Sequence, residues 1–101
     1  MSLTGLDIVY YLKVWRTCED NAINARDLCT MFNLNSRQLR LVIGGLRKDG
    51  IPICSSSQGY WYSENPEDIT KTIHRLDGQV RNMNNSIAGL RKVLTGGENE
   101  G

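Results

Sequence analysis

Apolar residues recur at helical intervals through "LTGLDIVYYLKVWRTC", residues 3–18. They predict a first helix with Thr4 as N-cap and Asp7 three residues on, a capping-box arrangement. Ile8, Leu12 and Trp15 fall near one face, and Val9, Tyr10 and Val14 extend onto a second. Two apolar faces either fill one small core or serve two neighbours, the second being a C-terminal helix or another chain. In "NARDLCTMF" Asn24 caps a short amphipathic helix carrying Leu28, Met31 and Phe32. "NLN" breaks the pattern, and Asn35 or Ser36 caps a further helix, with Gln38 or Leu39 at its third position, running to about Asp49 and stopping on Gly50. Leu39, Val42, Ile43 and Leu46 face the core. Arg37, Arg40, Leu41, Gly44, Arg47 and Lys48 fall mainly on the opposite side. "IPICSS" and "GYWYS" then alternate as two short strands around a turn of Ser57, Gln58 and Gly59, the glycine supplying positive φ. Pro52 holds the first strand to an edge or its beginning. Ile51, Ile53, Tyr60 and Tyr62 share one face of this hairpin, Cys54 and Trp61 the other.

The last third of the chain changes period. Asn65 caps a helix with Pro66 at its first position and Glu67 and Asp68 in its first turn. Ile69, Ile73, Leu76, Val80, Met83, Ile87, Leu90 and Leu94 follow at alternating steps of four and three, an unbroken heptad pattern. With Ile73, Val80, Ile87 and Leu94 at a, and Ile69, Leu76, Met83 and Leu90 at d, the seam favours two parallel strands and a homodimer. Few flanking e and g residues form ion pairs, which leaves open an antiparallel pair or a helix folded back on its own domain. Gly78 and Gly89 point outward, at f and c. The expected organisation is a head over residues 1–64, a dimerisation helix over 65–95 and a disordered tail over 96–101. The fold class is mainly α with a small β-hairpin (α+β).

Composition narrows the function. The chain has 101 residues, 12 basic and 11 acidic, and a net charge of +1. That size excludes a multi-domain enzyme, and that balance excludes a globally basic coat, so affinity for nucleic acid has to come from a local patch. Residues 36–48 supply one, with four positive charges and no negative one. A solvated helix face is the bland explanation, yet the acidic partners four residues away that such a face usually carries are missing. Across residues 21–61, five basic and two acidic residues leave +3, so pairing of two heads is needed for useful affinity. Cys18, Cys29 and Cys54 are widely spaced in apolar runs and read as reduced, buried thiols. His74 is the single histidine; no metal-ligand spacing, nucleophile and base, or Gly-rich phosphate loop is present, and no metal, cofactor or enzyme activity is expected. Nor is there a leader or a membrane-spanning run, so the expected location is cytoplasmic.

Helix, short helix, turn, basic helix, hairpin and final helix make a winged helix-turn-helix followed by a long coiled-coil helix. "INARDLCTMFNLNSRQLRLVIGGLRKDGIPICSSSQGYWYS", about 40 residues, resembles the winged-helix domain at the N-terminus of biotin ligase repressors, in which a helix ending in Leu-Arg and a Gly leads into strands ending in Gly-Tyr. It looks still more like the short winged-helix proteins of phages and prophages of Gram-positive bacteria, with "LRKDGIPICSSSQGYWY" the most distinctive part. No biotin-ligase catalytic domain follows, so that enzymology does not transfer. The resemblance implies a recognition helix over residues 36–48 and a wing tip over 55–58. Arg37, Gln38 and Arg40 would then enter the major groove of double-stranded DNA, with Ser36, Leu41 and Gly44 also among the DNA-binding residues. Arg47, Lys48 and the tip residues Ser55, Ser56, Ser57 and Gln58 would hold phosphates. An inert polar turn fits the tip equally well. The expected function is sequence-specific DNA binding as a homodimer, regulating phage or prophage transcription or replication. The alternative is a protein-interaction module that inhibits a host or phage complex through exposed Tyr60, Trp61 and Tyr62.

Overall fold

Local capping chemistry sets most element boundaries. The computed structural model describes residues 3–96. It contains α1 (Leu3–Trp15), a 3-10 turn (Glu19–Asn21), α2 (Ala25–Phe32), α3 (Ser36–Lys48), β1 (Ile53–Ser56), β2 (Gly59–Tyr62) and α4 (Pro66–Leu94). The Asn24 side chain accepts the Asp27 N–H at 2.8 Å and caps α2. Asn35 and Gln38 form a reciprocal capping box on α3, at 2.8 and 2.9 Å. The far end of α3 closes with a Schellman motif. Gly50 at φ 86° donates to Arg47 O and Ile51 donates to Leu46 O, so the chain turns sharply into the hairpin.

The head packs around Ile8 and Leu12 of α1, Ile23, Leu28 of α2, Leu39, Ile43 and Leu46 of α3, and Ile53 of β1. β1 and β2 pair antiparallel with Ile53 opposite Tyr62 and Cys54 opposite Trp61. The alternation therefore sends Ile53, Tyr60 and Tyr62 toward the helical core, and Cys54 and Trp61 to the other face. Trp61 is nonetheless 3% exposed. The first turns of α4 cover that second face, where Asp68 accepts hydrogen bonds from Trp61 Nε1 at 3.4 Å and from the Ser63 hydroxyl at 2.7 Å. Ser55 N–H donates to the Thr72 hydroxyl at 3.2 Å. Both outer edges of this small sheet are thus occupied: α4 caps β1, and Ile23 bridges β2 through paired bonds to Tyr60 of 2.9 and 2.8 Å. Gly59 sits at φ 130° beneath that bridge. A Cβ there would run into the Ile23 carbonyl group and come within 2.8 Å of the Asn24 nitrogen.

Several expectations change. α1 is already helical at Leu3, placing Thr4 inside its first turn; any cap lies outside the described residues. The helix stops at Trp15, three residues early, because the Arg16 carbonyl leaves the helical path to accept Tyr62 N–H at 2.8 Å. Trp15 is left 65% exposed instead of joining Ile8 and Leu12. Met31, read as part of the apolar stripe of α2, is half exposed. Trp61 is buried and Tyr60 and Tyr62 half-buried, so the hairpin presents no exposed aromatic cluster. Cys18 is exposed, in the loop after α1 with its thiol turned to Asn21, while Cys29 is intermediate and Cys54 buried. Burial pushes the Cys54 thiol pKa up. A thiol-reactive probe should accordingly modify Cys18 within seconds in the native protein and reach Cys54 only on unfolding. Labelling followed by mass mapping checks this, and fast native labelling of Cys54 would contradict the packing described.

α4 is continuous through Gly78 and Gly89, spanning 29 residues, about 43 Å at 1.5 Å per residue. It projects well beyond the head. The radius of gyration is 17.1 Å and the longest extent 59 Å, against about 13 Å for the radius of a compact 100-residue chain. Ile69 and Leu76, assigned to the seam, are half-buried against the head; Ile73, Val80, Met83, Ile87, Leu90 and Leu94 are exposed. The exposed part of the stripe thus begins near Ile73 and is mostly carried by residues 80–94. The expected tail lies outside the described residues apart from Gly96. Among the described residues no helix is long and apolar enough to cross a membrane.

Candidate functional site

α3 and the hairpin place the predicted contact residues along one side of the head, in three distinct situations. Arg37, Arg40, Leu41, Gly44 and Lys48 are exposed, and the side chains of Arg37, Arg40 and Lys48 form no hydrogen bond or ion pair with other described residues. They lie on successive turns of one helix face, because Leu39, Ile43 and Leu46 anchor the opposite face in the core. Ser36 is exposed at the first position of the helix. Gln38 is exposed too, but its carboxamide oxygen accepts the Asn35 N–H, so only its NH2 group is left to donate outward.

Arg47 differs most from expectation. It turns back on the hairpin, where Nε donates to Ile53 O at 2.8 Å and an Nη donates to the Ser55 hydroxyl at 3.0 Å. Its guanidinium also lies 6.0 Å from the Tyr60 ring centroid. Burial lowers its pKa from the ordinary arginine value, though a guanidinium remains charged at any physiological pH. Arg47 therefore clamps α3 to β1, with only part of its donor fork left over. The same contact engages the Ser55 hydroxyl oxygen. The Ser56 hydroxyl accepts the Gln58 N–H at 3.0 Å and closes the turn. Ser57 and Gln58, both exposed, form the true tip.

Between α3, the hairpin and α4 lies a cleft of about 410 Å³. Arg40, Gly44 and Arg47 contribute from α3, Ser55, Ser56 and Ser57 from the hairpin, and Arg75 and Gln79 from α4. No carboxylate lines it. No protein-family model, curated protein or solved structure matches this chain. Arg75 and Gln79 were not among the residues singled out from sequence, since in a heptad they are c and g positions with no chemical motif around them. Only the fold brings them beside Arg40. Among the described residues no group of three or more His, Cys, Asp and Glu could hold a metal ion.

Proposed function

We propose that this protein is a winged helix-turn-helix DNA-binding protein that acts as a homodimer, with α3 as recognition helix, the β1–β2 hairpin as wing, and residues 73–94 of α4 as the pairing surface. The observation that carries this is the unpartnered basic face of α3. Arg37, Arg40 and Lys48 stand free of counter-charges on a helix whose other face is fully anchored. A rigid helix presenting guanidinium groups suits bidentate recognition of guanine edges, and exposed Leu41 suits a thymine methyl. Ser57 and Gln58 at the tip donate to phosphates without adding charge. Two heads are needed because one brings so few cations. The phage or prophage regulatory role follows from the resemblance of residues 23–63 and is part of the same proposal.

Selection of duplexes from a random pool, at low and near-physiological salt, tests it. The wild type is expected to enrich a two-fold motif that survives the higher salt, and the Arg37→Ala, Arg40→Ala double variant to enrich none. If the wild type enriches nothing, the function passes to the second reading, binding of a host or phage protein. The support for that reading moves from the hairpin aromatics to α1. There Leu6, Tyr10 and Val14, on successive turns of one face, are all about half exposed or more, a patch of the kind that marks protein interfaces.

A further inference from the structure

Three features remain beyond the base-reading residues: the apolar patch on α1, the apolar hollow of about 290 Å³ between the end of α3, β1 and α4, and the cationic cleft that Arg40 and Gly44 border. The hollow is lined largely by Ile51, Pro52, Ile69 and Ile73, and its polar side chains, Arg47 and Thr72, are already bonded within the fold. The α1 patch has no neighbour that defines its occupant. The cleft has both charge and shape.

We infer that Arg75 and Gln79 of α4 form, with Ser57 of the hairpin tip, a seat for a phosphodiester of DNA next to Arg40, whose own guanidinium stays with the base edges, so that the strand is held between α3, the hairpin and α4. The inference rests on the DNA-binding reading and extends it to a third element. The Arg40 and Arg75 side chains make no ion pair or hydrogen bond with other described residues. The one ion pair among the described residues, Lys71 with Glu67, lies elsewhere on α4. Like charges brought together with no carboxylate in the lining repel one another unless an anion intervenes. The donors are also of the right kind. Guanidinium groups grip a phosphate through paired N–H bonds, and the Gln79 amide and the Ser57 hydroxyl add neutral donors. Gly44 completes the fit, because nothing lies within 4 Å of where its Cβ would be. Arg47 already holds the Ser55 hydroxyl and fixes the hairpin wall in place.

Such a contact reads charge, not sequence, which determines the experiment. Anisotropy titrations over a salt series use a short labelled duplex carrying the enriched motif, or a random sequence if none is enriched. The Arg75→Ala, Gln79→Ala variant is compared with Arg81→Ala, an exposed cation on the same helix outside the cleft. Both replaced residues are exposed, and an unchanged melting temperature will show that folding is intact. The expected result is a weakening of about tenfold, with the slope of log affinity against log salt shallower by about 0.9 for each phosphate released, and unchanged preference between sequences. If this variant matches Arg81→Ala while Arg37→Ala, Arg40→Ala abolishes binding, the DNA reading stands and the seat on α4 is refuted. If the wild type binds no better than the Arg37→Ala, Arg40→Ala variant, both fall. A poly-glutamate peptide bound with the same dependence on Arg75 and Gln79, where duplex is not, would assign the cleft to an acidic protein and overturn the inference.

Discussion

Gly59→Ala is expected to destabilise the domain by about 3 kcal/mol or more, a large part of the roughly 5–15 kcal/mol typical of whole domains. Two costs combine. A side chain held at φ 130° is strained by on the order of 1–3 kcal/mol. Its Cβ also strikes the Ile23 carbonyl, which cannot give way without breaking the paired bonds between Ile23 and Tyr60. Each of those is worth about 1 kcal/mol net. The opposite sign is expected for Gly78→Ala. That glycine is helical with nothing within 4 Å of a Cβ, and alanine should gain up to about 1 kcal/mol in helix propensity. Urea unfolding of the two variants beside the wild type measures both. A Gly59→Ala midpoint equivalent to a loss below about 1 kcal/mol would show that the bridge does not constrain the hairpin.

If α4 pairs as proposed, Ile87→Asp should convert the protein from two chains to one in sedimentation equilibrium while leaving the head folded. Ile87 is 47% exposed at an a position, flanked along the stripe by Met83 and Leu90, both exposed. An unpaired carboxylate inserted there would be buried by pairing at a cost of several kcal/mol, more than a seam concentrated in two heptads can absorb. The head should keep its melting temperature, since every described residue from 79 to 96 is solvent-exposed. Affinity for a two-fold duplex should fall by about 100-fold or more, because the second head then binds from solution instead of at a high effective concentration. Asn85→Asp, at the outward f position, serves as control and should leave the mass at two chains. Retention of the two-chain mass by Ile87→Asp would remove this stripe as the pairing surface.

What could be read from the chain was governed by distance along it. The caps at Asn24, Asn35 and Asn65, the stop at Gly50 and the heptad of α4 are local rules, satisfied within a few residues of the side chain concerned. The core residues Leu39, Ile43 and Leu46 follow from one helix period. The turn after α1 was lost to an interaction 46 residues away, Arg16 with Tyr62, and no local pattern encodes it. Trp61 read as exposed because strand alternation fixes which face a residue occupies and not what covers that face. Its cover is Asp68 and the first turns of α4. Arg47 fell on the basic side by periodicity, but its side chain is long enough to reach back to Ile53 O. Arg75 and Gln79 carry no motif and gain meaning only from what the fold places opposite them.

The bond from Ser55 to Thr72, together with the two donors on Asp68, makes α4 and the hairpin one rigid arm. From Thr72 the helix runs a further 22 residues to Leu94, about 33 Å. A rocking of about 10° at the hairpin becomes a swing of about 6 Å at the far tip of such an arm. The leverage also works in reverse. In a paired molecule, the aim of each hairpin is governed tens of ångströms away, by how firmly the last turns of the helices are gripped. Slack at residues 87–94 would therefore blur the aim of the hairpins without disturbing any atom near them.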